Sequence, residues 1–403
     1  MKSFEIAVVG GGLAGQIAAL AFARAGRRVV ALMPPAPVAD QRTTALMDQS
    51  VRFMEGLGVW QQMTDKAAAL STMQILDGTK RLLRAPPVAF RASEVGLDAF
   101  GYNFPNASLH PILEAALDAE PNVTRQADTV EALDLSTETA TLTLSSGESI
   151  TADFVVGADG RHSLVRESAG IDVSRWSYPQ TALVLNFSHS LPHRNVSAEF
   201  HTESGPFTQV PLSGDRSSLV WVMKPADAEA ALALPLDGLS RRVEERMQSL
   251  LGAVTIEQAP QAWPLSGMIA KRFGKGRVAL VGEAAHVFPP IGAQGLNLSL
   301  RDIMAITELV TSTTGARLAA DLGDRFDRRR RVDVMSRTAS VDLLNRSLLS
   351  DFLPVQVLRA AGLHVLSAIP PLRSLVMREG VEPGRGFRAL PLGPRDSLKR
   401  QKA

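Results

Sequence analysis

The strongest hydrophobic signal stands at the start of the chain. Phe4-Glu5-Ile6-Ala7-Val8-Val9 reads as a buried strand, and a second apolar run follows over residues 28–32. Between them, residues 16–24 read as a helix of small apolar residues. Two later apolar runs end in turn residues: Asp153-Phe154-Val155-Val156-Gly157-Ala158-Asp159-Gly160, and Arg277-Val278-Ala279-Leu280-Val281-Gly282-Glu283. Residues 124–152 read as short alternating strands. Residues 180–223 read as a longer antiparallel sheet, with Val210-Pro211-Leu212 and residues 217–223 carrying the period of two. Strands that alternate with helices and then give way to a block of strands predict an α/β (α+β) chain. It would hold a Rossmann-like part interleaved with a second β-sheet part, and a helical C-terminal region.

Length and composition narrow this picture little. A chain of 403 residues allows two or three domains. Its net charge of +2 and 5% aromatic content argue against nucleic-acid binding and against base or sugar stacking. The absence of cysteine excludes disulfides, cysteine-held clusters and a thiol nucleophile. Histidine spacing shows no metal motif, and no G-x-S-x-G nucleophile elbow occurs. Lys2 is the single basic residue before the first strand, which does not resemble a signal peptide. The apolar stretch 352–377 is broken by Pro354, Arg359, His364, Pro370, Pro371 and Arg373, so it does not read as a membrane span. Charge is uneven, however. Residues 321–403 carry 16 Lys/Arg against 9 Asp/Glu, with Arg328-Arg329-Arg330-Arg331 the densest run. The run reads either as a solvated helix face or as a basic surface drawn to anionic lipid.

The first strand runs into Gly10-Gly11-Gly12-Leu13-Ala14-Gly15, a G-x-G-x-x-G in the strand–turn–helix setting that gives it meaning. Gly10 permits the tight turn, Gly12 lets the backbone approach a pyrophosphate, and Gly15 lets the helix pack on the strand. The turn predicts dinucleotide binding, although by itself it does not separate NAD from FAD. An acid at the end of the second strand usually holds the adenosine ribose. Met33 stands there, and its loss of hydroxyl bonding is expected to weaken binding by about 1–3 kcal/mol.

The two later turns separate the cofactors. With Asp159-Gly160-Arg161-His162-Ser163 and Gly282-Glu283-Ala284-Ala285-His286 in this order after the glycine turn, the chain resembles the flavoprotein aromatic hydroxylases of the para-hydroxybenzoate hydroxylase type. Within them it is most similar to the UbiH/UbiF-like hydroxylases of ubiquinone biosynthesis. That likeness is carried by Asp40-Gln41-Arg42-Thr43-Thr44-Ala45-Leu46, by Trp176-Ser177-Tyr178-Pro179-Gln180, and by Gly205-Pro206-Phe207. It continues in Gly292-Ala293-Gln294-Gly295-Leu296-Asn297-Leu298 and in Pro370-Pro371-Leu372-Arg373.

The resemblance implies an FAD-binding part over residues 1–71, 105–170 and 263–323, and a substrate part over 72–104 and 171–262. A helical region over 324–403 completes the chain. It implies that Gly10, Gly12, Leu13, Ala14 and Gly15 form the diphosphate turn. Arg42 and Asn106 would contact the cofactor, the latter at a helix start. Asp159 and Gly160 would approach it, Gly282 and Glu283 would face its ribityl chain, and Pro290, Gly292, Ala293, Gln294, Gly295, Leu296 and Asn297 would lie beside the isoalloxazine. Glu283 stands where the family more often has Asp, one methylene shorter.

By the same resemblance, catalysis belongs to the flavin rather than to a side-chain dyad. FAD, reduced by NADPH or another donor, would react with O2 to a C4a-hydroperoxide that hydroxylates a hydrophobic phenolic ring. The implied substrate is a polyprenylated precursor of ubiquinone. The expected setting is cytoplasmic, with peripheral contact at the inner face of the membrane and membership of a biosynthetic multi-enzyme assembly. A monooxygenase of a soluble aromatic compound, or a flavin-depleted scaffold, are the alternatives. His286 reads as a packing residue rather than a base, and His162 as a solvent-facing turn residue. Trp176, Tyr178 and Trp221 would either line a pocket or fill a core. Arg301 and Asp302 are expected to open a helix and form local pairs.

Overall fold

The computed structural model describes residues 1–34, 40–79, 87–136, 138–202, 204–290, 293–313, 317–349 and Met377. Gly292 and the Pro370–Arg373 motif lie outside them, as does the rest of the C-terminal region beyond Leu349.

Two large sheets carry the molecule. The strand order of the first is Gly274–Lys275, Val278–Leu280, Ser149–Gly157, Lys2–Val9, Val29–Leu32, Val123–Gln126. Its central pairs are parallel: Ile6 lies opposite both Phe154 and Val29, and Val155 lies opposite Val278. Because helices cover this sheet, its central strands carry unbroken apolar runs, residues 6–9, 29–32, 154–156 and 278–280, rather than alternating ones. The Leu13–Arg24 helix starts three residues earlier than its apolar pattern predicts and is buried from Gly15 to Ala23. Alanine at positions 18, 19, 21 and 23 lets it lie close to the sheet and to the Asn106–Asp118 and Gln294–Thr311 helices.

Among the described residues the second sheet has nine strands, most of them antiparallel, built on the long Val173–His189 strand. Thr72–Asp77 joins it in parallel with Val196–Thr202, far from its neighbours in sequence. Gly101–Pro105 instead pairs with Thr43–Met47 in a small three-stranded sheet. One face of the second sheet packs Leu183, Leu185, Phe187, Phe207 and Trp221 against the Pro225–Leu232 and Leu236–Arg246 helices. Trp221 therefore belongs to this outer core. The opposite face presents Tyr178, Ala182, Val222 and Leu265. That side approaches the first sheet's turns, since Asn186 Nδ2 donates to the Gln41 carbonyl and the Thr43 and Ser218 hydroxyls lie 3.0 Å apart.

The 28-residue Leu322–Leu349 helix joins the two parts. Arg330 reaches Asp302 on the Gln294–Thr311 helix, and Asp342 accepts a hydrogen bond from the Tyr178 hydroxyl in the second sheet.

Candidate functional site

The three glycine-containing turns meet in space. Gly10 has φ +125°, and a Cβ there would lie 2.1 Å from the Ala158 carbonyl oxygen and 2.9 Å from the Asp159 nitrogen. A Cβ on Gly15 would fall 2.0 Å from the Gly10 carbonyl oxygen, so the helix rests directly on the turn. Gly282 has φ +63°, and its Cβ would come within 3.1 Å of Ala14 Cβ. The approaches at Gly10 and Gly15 are possible only because a side chain is missing, and the one at Gly282 is tight.

The same turns border open space on their other side. A Cβ on Gly12, Gly160 or Gly295 would meet nothing within 4 Å. Gly12 is the N-cap of the Leu13–Arg24 helix, and no side chain caps it. The amides of the helix's first turn are therefore left without a side-chain cap beside this open space, which would form the trough for a diphosphate. A dinucleotide fits these residues.

The rim is charged. Asp40 accepts two hydrogen bonds from the Arg42 guanidinium, both 2.9 Å, and a third from Asn106 Nδ2 at 2.8 Å. Arg42 also lies over the Trp263 ring at 5.0 Å and extends to within 3.7 Å of Glu283. On its other side Glu283 accepts a 2.9 Å bond from Arg161. The Glu283 carboxylate thus lies between two arginines from separate turns.

Burial pushes the Asp40 carboxyl up, but the bonds and charge of Arg42, with Asn106, outweigh this and hold it below its ordinary 3.8. A carboxyl depressed on folding stabilises above its unfolded pKa and loses that contribution as pH falls through the folded one. Melting temperature should therefore drop as pH is lowered below about 4. Asp40→Asn should lose about 1 kcal/mol at neutral pH, a small value because Arg42 is half exposed, and should show a smaller acid-side drop. Thermal melts of both proteins between neutral pH and the acid range check this.

Other site residues turn to protein partners. The Asp159 carboxylate accepts from the Ser163 hydroxyl and the Val165 amide, capping the Leu164–Ser168 helix, and burial pushes its pKa up. Asn106 does open its helix, and its amide is shared between Asp40 and the Thr44 hydroxyl. Asn297 accepts from the Met47 amide and the Ser50 hydroxyl and donates to the carbonyls of Ala45 and Ala293, fastening the residue 45–50 segment to the Gln294–Thr311 helix. Ala293 takes a left-handed conformation, φ 52°, as that helix's N-cap, with Gln294 and Gly295 in the first turn and Leu296 packed on the core. Pro290 precedes the undescribed pair 291–292. Met33 is buried against Gly11 and bonds through its amide to the Gln126 carbonyl, so no carboxylate ends that strand.

Arg301 and Asp302 do not open a helix. They lie inside Gln294–Thr311 and pair with distant residues. Asp302 takes His286 Nε2 on one oxygen at 2.7 Å and Arg330 Nε on the other at 2.6 Å, and all three residues are buried. Arg301 and Arg330 share Asp333, and burial pushes the Arg301 guanidinium down to about 10 despite that carboxylate. His286 also stacks on Phe288 at 5.1 Å. This network holds the wall that leads into residues 287–290. Nothing in the spacing of residues 286, 302, 330 and 333 marks it in sequence. His162 is exposed, as its turn position suggests.

The FAD binding domain family matches residues 3–337. The ubiquinone hydroxylase UbiL of Rhodospirillum rubrum is 32% identical, over 97% of this chain and 94% of its own length. The 3-demethoxyubiquinol 3-hydroxylase of Escherichia coli is 32% identical over 89% of this chain and 93% of its own. Among solved structures, p-nitrophenol 4-monooxygenase PnpA of Pseudomonas putida superposes with TM-score 0.77 at 19% identity, over 94% of this chain and 98% of that one. Klebsiella pneumoniae HpxO complexed with FAD and uric acid gives 0.73 at 18% identity, over 94% and 96%. These structural likenesses concern the fold.

Proposed function

Since the chain belongs to the FAD binding domain family, alongside the ubiquinone hydroxylases, we propose that it is an FAD-dependent monooxygenase of ubiquinone biosynthesis. Its substrate on this reading is a phenolic, polyprenylated ring, and NADPH or another donor supplies the electrons. The supporting observation is the meeting of the Gly10, Asp159 and Gly282 turns, with open space beside Gly12 and Gly160, in a chain alike over nearly its whole length to such hydroxylases.

When bound, FAD supplies the redox chemistry and the activation of O2. The chain's residues do the rest. The helix end behind Gly12 would hold the diphosphate, and Arg42, fixed by Asp40, would add a cation to the same site. Buried Ala284, Ala285 and Val287, which follow the Gly282 turn directly, would exclude water there. A small apolar wall of this kind suits a ring with a hydrophobic tail. On this reading the protein works in peripheral contact with the inner face of the membrane, where such a substrate is held, and within a biosynthetic assembly. Among the described residues no helix is long and apolar enough to cross a membrane.

A strain lacking this chain should accumulate a quinone precursor one hydroxyl short, and normal quinone in that strain would sink the reading. Protein that carries no flavin and takes up none from excess FAD would favour the scaffold alternative. Met33→Glu should restore an acceptor for the ribose hydroxyls and tighten FAD by about tenfold, the gain of charged hydrogen bonds less the burial of the new carboxylate. Fluorescence titration of apoprotein with FAD measures it.

A further inference from the structure

The outward side of the Leu322–Leu349 helix has an unusual composition. Between Arg328 and Leu343 its exposed side chains are Arg328, Arg329 and Arg331, then Val332, Met335 and Leu343, with only Ala339 and two serines besides. Val332 is 75% exposed and Leu343 71%, high for large apolar residues. The positions 332, 335, 339 and 343 share one face at helical spacing. Both acids of the stretch turn away: Asp333 pairs with Arg301, Arg330 and Arg337, and Asp342 with the Tyr178 hydroxyl. The face therefore presents cations and apolar groups with no exposed carboxylate of its own.

We propose that this helix face docks the protein onto an anionic lipid bilayer, lying in the plane of the headgroups over about 22 Å of its length. Val332, Met335 and Leu343 would enter the acyl boundary while the arginines take headgroup phosphates. Arg329 and Arg331 have ion pairs with Glu308 and Asp327, but both side chains are half exposed and can exchange those partners for phosphate. The sequence beyond Leu349 adds nine Lys/Arg against four Asp/Glu, a further basic excess. A second copy is the poorer occupant, because a self-contact of this face offers its arginines no exposed carboxylate. The inference deepens the reading above and rests on it for the reason a bilayer is the partner, which is that a prenylated ring is held there.

The test is co-sedimentation of the full FAD-loaded chain with substrate-free vesicles of phosphatidylcholine, with and without phosphatidylglycerol. Binding should need phosphatidylglycerol and weaken with salt. Val332→Ser combined with Leu343→Ser should lower partitioning about tenfold, and Arg328→Glu by a similar factor. All three positions are on the surface, so melting temperatures should stay put. Equal binding to both vesicle types, or variants that bind like the parent, would overturn the proposal. So would a shift from dimer to monomer in the variants with vesicle binding unchanged, which would assign the face to self-association. Hydroxylation of a short-tailed phenol in solution is measured alongside. If that persists while vesicle binding fails, only the docking face is lost; if binding holds and no phenol is hydroxylated, only the functional reading is lost.

Discussion

Gly10→Ala should yield a protein without flavin and about 3 kcal/mol or more less stable. The added Cβ would sit 2.1 Å from the Ala158 oxygen, and the neighbour is backbone, so no rotamer change relieves it. The positive φ of +125° adds strain that an L side chain does not tolerate. Relief requires the first turn to part from the Asp159 turn, and the trough exists only where those turns adjoin. Gly12→Ala separates the two effects. Its φ of −71° is ordinary and its Cβ would meet nothing within 4 Å, so the chain should melt within about 0.5 kcal/mol of the parent. The methyl would nonetheless stand in the space where the helix-end amides receive the diphosphate, and FAD affinity should fall at least about a hundredfold. Flavin absorbance of purified protein, read beside thermal melts, distinguishes the pair. A Gly10→Ala protein that keeps full flavin would mean that the turns do not grip the cofactor together.

Asp302→Ala should be the most damaging substitution away from the trough, at about 3–5 kcal/mol. It removes the shared acceptor of His286 and Arg330 and leaves a guanidinium, 8% exposed, with Asp333 alone. Asp302→Asn should cost less, because it keeps one hydrogen-bond acceptor and the packing. Denaturant midpoints followed by flavin fluorescence test both. Release of flavin before global unfolding is expected in the alanine variant, since His286 then no longer anchors the strand leading to residues 287–290. A midpoint unchanged by Asp302→Ala would show that the buried pairs contribute nothing net.

The parts of the fold visible in sequence are those set by local rules. Uninterrupted apolar runs at residues 6–9 and 154–156 announce strands covered on both faces, and turns made of glycine mark where chains come close. The Asn106 helix start is legible for the same reason. The ion-pair network is not. Arg328 to Arg331 look alike as a string, yet a 100° step per residue sends Arg330 into the interior and leaves Arg328 in solvent. Arg301 and Asp302 read as local partners because sequence supplies only local candidates, whereas their partners arrive from a helix some thirty residues on. Asp40 is legible as part of a motif, but its role of fixing Arg42 and Asn106 at once depends on tertiary placement.

The strand Thr72–Asp77 has a consequence for how the chain is made. It is synthesised early, yet its partner Val196–Thr202 emerges more than a hundred residues later, and the first sheet waits longer still for Val278–Leu280. Neither half can finish on the ribosome before the other has begun. Co-translational folding of a separate N-terminal half is thereby precluded, and the nascent chain must keep unpaired strand edges shielded until nearly three quarters of its length has appeared.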